Sequence, residues 1–523
     1  MLRPLCFFAL LPVIFERALA AVGPSTILPI VNSEISPDGF LRSAVLADGV
    51  FPGPLIQGTK GNDFSITVVD LLTDDSMDLQ TSIHWHGIFQ KHTNYVDGPA
   101  FVTQCPIVPF RDFLYKFNAL EQAGTYWYHS HFEAQYCDGL RGPLVIYDPD
   151  DPHADLYDVD DEDTVITLAD WYHFISKVAP LAPVFNSTLI NGQGRYAGGP
   201  SAPLAVVNVV RGKRYRLRLV SISCDPNFTF SIDGHQLTII EVDGNNVQPL
   251  IVDSLQIFAG QRYSVVLSAT QPIGNYWIRA LSNLLDKSYA NFTNVAILRY
   301  FGAFPINPSP DPNVNIPTSV LPLVETNLHP LVPTPVPGKP FSGGADININ
   351  LVVTPTSDLK QILVNDVSFE SPTVPALLQI MSGVQNASDL LPAGSIYGLE
   401  PNKSVEITLP AGVPGGPHPI HLHGHPFHVV RGAGNSTYNF VDPVIRDVVS
   451  MGKTGDNLTI RFFTDNPGPW FLHCHIDWHL TKGFAVVFAE DVPEVSAQDM
   501  TTTAWDNLCP IYDGFINPAL SRA

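Results

Sequence analysis

Ten residues near the C-terminus restrict this chain more than any other stretch: Trp470-Phe471-Leu472-His473-Cys474-His475-Ile476-Asp477-Trp478-His479. Three histidines and a cysteine fall within seven positions, and the apolar run Phe484-Ala485-Val486-Val487-Phe488 follows. The composition reads as a strand, in which alternate side chains face opposite ways. His473 and His475 then share one face and Cys474 projects from the other. One strand can therefore serve two metal sites, with the cysteine joined covalently to both histidines. Such a strand is built to pass electrons between metal centres, and any fold that holds it must bring further donors to both faces.

Those donors are present. Ile83-His84-Trp85-His86-Gly87, then His129-Ser130-His131, then His418-Pro419-Ile420-His421-Leu422-His423-Gly424 supply three more clusters. Gly124 precedes His129 by five residues and Gly468 precedes His473 by five, with Trp127 and Trp470 between. Each half also carries an earlier His-x-His-Gly set. This internal repeat points to duplicated units with metal held where the two copies meet.

The donor types narrow the metal. A structural zinc takes four ligands and stops. The absence of carboxylates from the clusters argues against calcium, magnesium and non-haem iron. A thiolate with two imidazoles and a weak axial neighbour is the blue-copper pattern, which Cys474, His479 and His418 fit, with apolar Ile476 and Phe484 nearby. His84, His86, His129, His131, His421, His423, His473 and His475 would suit a cluster of three coppers. His425 and His428 read as supporting or surface groups. In the middle of the chain His153, His173 and His235 form no His-x-His pair, so that region is expected to lack metal.

Length and composition set the frame. At 523 residues with 47 prolines and 38 glycines, alternating runs such as Phe64–Val69, Tyr215–Val220 and Tyr263–Leu267 predict an all-β chain of sandwiches. Residues 1–20 read as a secretory signal: Arg3, an apolar stretch, then Ala18-Leu19-Ala20. Three domains are expected at 21–151, 152–322 and 323–523. The acid-crowded residues 148–163 read as a solvated linker, and the proline-loaded residues 301–345 as an extended crossing segment. A formal net charge of -22 excludes nucleic acid and anionic membrane surfaces as partners, and no later run is long and apolar enough for a membrane span. Secretion agrees with glycosylation sequons at Asn186, Asn227, Asn291, Asn386, Asn402, Asn435 and Asn457. Cys6 leaves with the signal; apart from Cys474, the other four cysteines allow two disulfides in three connectivities.

Taken together, the four motifs in this order and spacing resemble the multicopper oxidases. The run from His473 to His479, with Phe484 ten residues after Cys474, is similar to fungal laccases of the basidiomycete type. The likeness extends through Asp97-Gly98-Pro99-Ala100, Ser223-Cys224-Asp225-Pro226 and Asp465-Asn466-Pro467-Gly468-Pro469-Trp470, although Trp478 stands where phenylalanine is more usual. The resemblance implies three cupredoxin-like Greek-key β-sandwich domains, the second without copper. It implies a type-1 copper on His418, Cys474 and His479, beside Phe484 and Ile476, and a type-2 copper on His84 and His421. A type-3 pair would take His86, His129, His131, His423, His473 and His475. Disulfides would join Cys105 to Cys509 and Cys137 to Cys224.

The implied activity is that of a secreted, extracellular, monomeric laccase associated with lignin degradation. It would oxidise phenols or aromatic amines one electron at a time and reduce dioxygen to water. Substrate would dock near His479, with Asp225 accepting the phenol's proton. The rivals are a ferroxidase or ascorbate oxidase on the same scaffold, and a copper-binding or electron-carrier protein without oxidase activity. A carrier needs only the Cys474 site, so eight further histidines weigh against it.

Overall fold

The computed structural model describes residues 21–284, 289–392 and 394–517. The signal expected at 1–20 lies outside the described residues. The fold is all-β, and its sheets pair into three sandwiches: two four-stranded sheets, then a seven- and a five-stranded sheet, then two five-stranded sheets with a two-stranded ribbon. The alternating runs read from the sequence lie inside these strands, for example Asp63–Asp70, Arg214–Ser221 and Arg262–Ser268. Alternation of buried and accessible side chains along Asp63–Asp70 shows one face turned to a core.

The internal repeat is visible as topology. In the first sandwich Ile56–Thr59 lies parallel to Arg141–Tyr147, followed by antiparallel Gly124–Ser130 and Ile83–His86. In the third, Ile396–Leu399 lies parallel to Ala485–Glu490, followed by antiparallel Gly468–Cys474 and Pro419–Leu422. The register sets His84 opposite His129, and His421 opposite His473. Trp85, Trp127 and Trp470 are fully buried beside these histidines. At 150–250 Å² per buried indole and about 25 cal/mol/Å², each contributes roughly 4–6 kcal/mol before entropy is charged against it. The strand ends that carry the donors are therefore held stiffly.

The strand expected through residues 470–479 stops at Cys474. Beyond it the backbone leaves the ladder: His475 N donates to Pro419 O at 2.7 Å and Asp477 N to Cys224 O at 3.0 Å. Asp477–Leu480 then closes as one helical turn. His131 and His423 likewise sit one residue past their strands. These three pairs straddle a strand end, where the second imidazole bends toward a shared centre, while His84 and His86 both lie in the short strand Ile83–His86.

The acidic segment departs from expectation in part. Six of its nine acidic residues are exposed, as in a solvated linker, but Asp151, Asp158 and Asp160 face the arginines of Arg214–Ser221. Asp158 pairs with Arg214 at 2.9 Å, Asp151 pairs with Arg216, and Asp160 pairs with buried Arg218 at 2.7 Å. Charge repeated at every second position of one strand demands charge in the segment packed on it. The proline-rich segment is extended, strapped to the middle sandwich by Trp277 Nε1 donating to Pro310 O at 3.0 Å and Arg279 Nη1 to Pro312 O at 2.6 Å.

Disulfides join Cys105 to Cys509, on the C-terminal helix Leu508–Ile516, and Cys137 to Cys224. Cys474 is the free, buried cysteine of the described residues. No helix among them is long and apolar enough to cross a membrane. Asn186, Asn291, Asn386 and Asn402 are exposed, and Asn435 and Asn457 are half-buried. Asn227 is the least accessible of the seven, 3% exposed with its Oδ1 accepting from Gln256 Nε2 at 2.7 Å.

The arginine pairing gives a test. Asp160→Ala takes the two-pronged carboxylate from buried Arg218, which keeps Thr125 Oγ1 at 2.9 Å and Glu241 at 3.7 Å, and should cost about 1–3 kcal/mol of unfolding free energy. Asp163→Ala, in the same segment but exposed, should stay within about 0.5 kcal/mol. Denaturant midpoints of the two variants decide it; equal small effects would show that the pairing adds no stability.

Candidate metal centre

Two donor sets occupy opposite sides of the Gly468–Cys474 strand end. In the first, His418 Nδ1 and His479 Nδ1 lie 3.1 Å apart, and Cys474 Sγ lies 3.6 Å and 3.8 Å from them. Phe484 and Ile476 are each 2% exposed, and the Phe484 ring centroid lies 5.5 Å from that of His418. No polar atom is offered from the phenyl side. His479 is half-buried. Exposed Gly415 lies over it so closely that a Cβ there would sit 3.2 Å from His479 Nε2. The imidazole edge thus faces a rim kept free of side chain.

The second set gathers all eight remaining motif histidines. Donor atoms within 4.8 Å of one another group His84 with His421 and His423, His84 with His86 and His129, and His131 with His423 and His473. His475 Nε2 stands 3.1 Å from His86 Nδ1, and His423 Nε2 stands 3.1 Å from His473 Nε2. The outer ring nitrogens are anchored. His84 Nδ1 donates to Asp97 O, His421 Nδ1 to Asp447 O and His423 Nδ1 to Asp97 Oδ2, each at 2.8 Å, while His473 Nδ1 donates to Cys474 O at 2.9 Å. Such bonds fix tautomer and orientation in metal-bound histidines.

With Nδ1 protonated, Nε2 presents a lone pair inward. Nε2 of His84, His129, His131 and His421 is buried and has no hydrogen-bond partner. Unpaired buried acceptors are rare in native proteins, and several facing one another call for a shared partner such as an ion. Burial, followed by the neighbouring imidazoles, holds His86, His129, His131, His421, His423 and His475 well below the ordinary imidazole range. Burial brings His473 and His418 down to about 4 and His479 to about 3. Neutral nitrogens with inward lone pairs are the form that binds a soft or borderline cation. The donor sets therefore fit copper.

Every metal-ligand candidate of the sequence falls into one of these two sets. His425 lies apart, its Nε2 3.1 Å from Glu490 Oε2. His235 Nε2 lies 2.7 Å from the Tyr300 hydroxyl and His173 Nε2 2.8 Å from Asp38 Oδ2. Asp97, Asp447 and Arg262 escaped the sequence reading. Asp97 stood in a quoted motif, but nothing in the sequence singled out Asp447 or Arg262 from other charged residues.

Multicopper oxidase family models match residues 30–151, 162–303 and 369–494. The chain is 59% identical to Laccase-2 of Trametes versicolor over 518 residues, 98% of each chain. It is 58% identical to a laccase of Phlebia radiata over 500 residues, 95% of each. Among solved structures, a laccase from Botrytis aclada gives a TM-score of 0.80 at 32% identity, covering 94% of this chain and 92% of its own. Fet3p, described as a multicopper oxidase that functions in iron import, gives 0.80 at 26% identity, covering 94% and 95%. The chain belongs to the multicopper oxidase family. Its cofactor is the family's set of type-1, type-2 and type-3 coppers. Near-full-length identity to laccases identifies its enzymatic activity as that of a laccase.

The depressed imidazole values predict how the metal is held. A histidine lowered to about 4 stays an unprotonated ligand until pH falls to about 4. Copper content after dialysis should hold steady from neutral pH to about pH 5 and fall at or below about 4. Loss starting near the ordinary imidazole value of about 6.5 would show that the ligands are not buried as described.

Proposed function

We propose that the chain is a secreted glycoprotein that oxidises phenols and aromatic amines one electron at a time, with dioxygen as the terminal acceptor and water as product. Domain limits of 21–151, 152–322 and 323–523 go with this reading. His418, Cys474 and His479 would hold type-1 copper, and His84 and His421 type-2. His86, His129, His131, His423, His473 and His475 would hold the type-3 pair. When bound, these ions supply one-electron acceptance at the cysteine site and four-electron dioxygen reduction at the histidine cluster. The observation that carries the reading is the covalent join: Cys474 belongs to one donor set, and its chain neighbours His473 and His475 belong to the other.

The surrounding residues account for selectivity. Phe484 and Ile476 close the cysteine site against water and leave it three donors, a low-polarity setting that favours the reduced ion. The half-buried edge of His479 beneath Gly415 is where a flat aromatic ring would approach. Asp225 would take the hydroxyl proton of a phenol. Its carboxyl is pushed up to about 8 by burial and then by Asp170, against the opposing pull of Lys482. Its backbone N–H donates to Asp170 Oδ2 at 3.2 Å, fixing the turn that presents it.

Oxygen uptake with a phenol, ferrous iron and ascorbate, measured side by side, tests the reaction. The phenol should give the highest kcat/KM; ferrous iron in first place would make the chain a ferroxidase, and no uptake with any donor a carrier.

The role of Asp225 is tested by comparing a phenol with a ferrocyanide-type donor that releases no proton. A base must be ionised to act, and a carboxyl near 8 gains its charge as pH rises toward that value. The ratio of phenol to ferrocyanide rates should therefore climb between about pH 6 and 8. Asp225→Asn should flatten the climb and lower the phenol rate by roughly 10²-fold. Equal losses on both donors would make Asp225 structural.

A further inference from the structure

The middle sandwich contributes none of the histidines in either donor set, yet one of its turns forms a wall of the eight-histidine cavity. Gly260 lies so close that a Cβ on it would meet His475 Cδ2 at 2.9 Å and His86 Cε1 at 3.1 Å. Beside it, Gln261 Nε2 donates to Val448 O at 3.0 Å. Arg262 is fully buried and uses its donors across all three sandwiches. Its Nε donates to Thr125 O and its Nη1 to Gly260 O, each at 3.0 Å. Nη1 and Nη2 also grip the Asp447 carboxylate at 2.5 and 2.7 Å, the two-pronged geometry that lysine cannot reproduce.

Asp447 is the hinge of the arrangement. Its Oδ1 lies 3.4 Å from His86 Nε2, and its backbone oxygen accepts from His421 Nδ1 at 2.8 Å. One residue thereby orients a histidine from the first sandwich and another from the third. Gly87, directly after His86, makes the approach possible: a Cβ there would fall 2.5 Å from Arg262 Nη2.

We propose that Arg262 is a positioning residue for the trinuclear copper site, acting through Asp447 on His86 and His421, so that the middle sandwich completes a site to which it gives no ligand. The inference rests on the ligand assignment above. Groups that orient metal ligands commonly set affinity within a factor of 10–100. The loss on removing Arg262 should therefore be confined to the histidine cluster and leave the cysteine site intact.

The test compares the copper-loaded protein with Arg262→Gln, Arg262→Lys and Arg279→Gln. Arg279 is also buried in the middle sandwich, but it pairs with Asp233. The readouts are the blue absorption of the cysteine site, the type-2 electron paramagnetic resonance signal and the rate of copper loss to a chelator. Arg262→Gln should keep its blue band and lose cluster copper about 10–100-fold faster than the unaltered protein. Arg262→Lys, which keeps the charge without the fork, should fall between them. Arg279→Gln should leave the ratio of type-2 to blue signal unchanged, whatever its melting temperature. If Arg262→Gln does not fold, Arg262→Lys decides: a parallel fall of both signals, or chelation at the unaltered rate, overturns the proposal. An unaltered protein with a blue band but no type-2 signal would instead overturn the ligand assignment, and this inference with it.

Discussion

Everything in this molecule depends on keeping eight imidazoles pointed at one another inside a protein. Left alone, such a cluster is unfavourable. Each buried acceptor without a partner costs about 1–3 kcal/mol, and four Nε2 atoms stand in that state. The rings of His84, His421, His129 and His473 stay in place because their other nitrogens are tied to Asp97, Asp447, Ser130 and Cys474. The scaffold pays this cost with the cores around it, and binding of an ion by all the facing lone pairs reverses it. Pre-organisation of this kind also explains why the donors come from strand ends: a strand interior fixes the backbone, and the residue past its end supplies the bend.

The cysteine site works by the opposite device. It has few donors, apolar walls and an edge near solvent, whereas the histidine cluster is donor-rich and deeply buried. Burial pushes the Cys474 thiol well above its ordinary value, so only a bound cation would make it a thiolate. Placing the two environments on either side of Cys474 requires one peptide to serve both. His473 Nδ1 donates to Cys474 O, so the peptide that positions the sulfur also orients a cluster ligand. That coupling is local, and it was legible from the alternation of His473, Cys474 and His475.

Less of the supporting structure could be read. The duplicated sandwiches announced themselves through Gly124 and Gly468, each five residues before a histidine, because a repeat leaves matching local marks. The end of the strand at Cys474 did not, since no glycine or proline interrupts Trp470–His479 and the bend is imposed by Pro419 and Cys224 from other parts of the chain. The acidic segment was legible only in part for a related reason. A run of aspartates reads as solvated unless its partners are known, and Arg214, Arg216 and Arg218 lie more than fifty residues on. The Asn227 sequon fits the glycosylation pattern, but only the fold shows its side chain bonded to Gln256. Contacts between distant segments are what single-sequence patterns carry least well.

The buried arginines follow the same logic. A chain with 50 acidic and 28 basic side chains would be expected to spread its scarce cations over the surface. Instead Arg141, Arg218, Arg262, Arg279, Arg446 and Arg461 are among its most completely buried side chains. Several join segments distant in sequence: Arg141 meets Asp170, Arg446 meets Asp243 and Glu325, and Arg262 meets Asp447. A hydrophobic contact tolerates small slips, while a guanidinium fork does not. Taking such a pair out of water adds little net stability. Its contribution here is register, because a cluster whose ligands come from two sandwiches needs its parts held to fractions of an ångström. Apolar packing runs across the junctions between the three sandwiches, and the arginine forks add a directional constraint on how they meet.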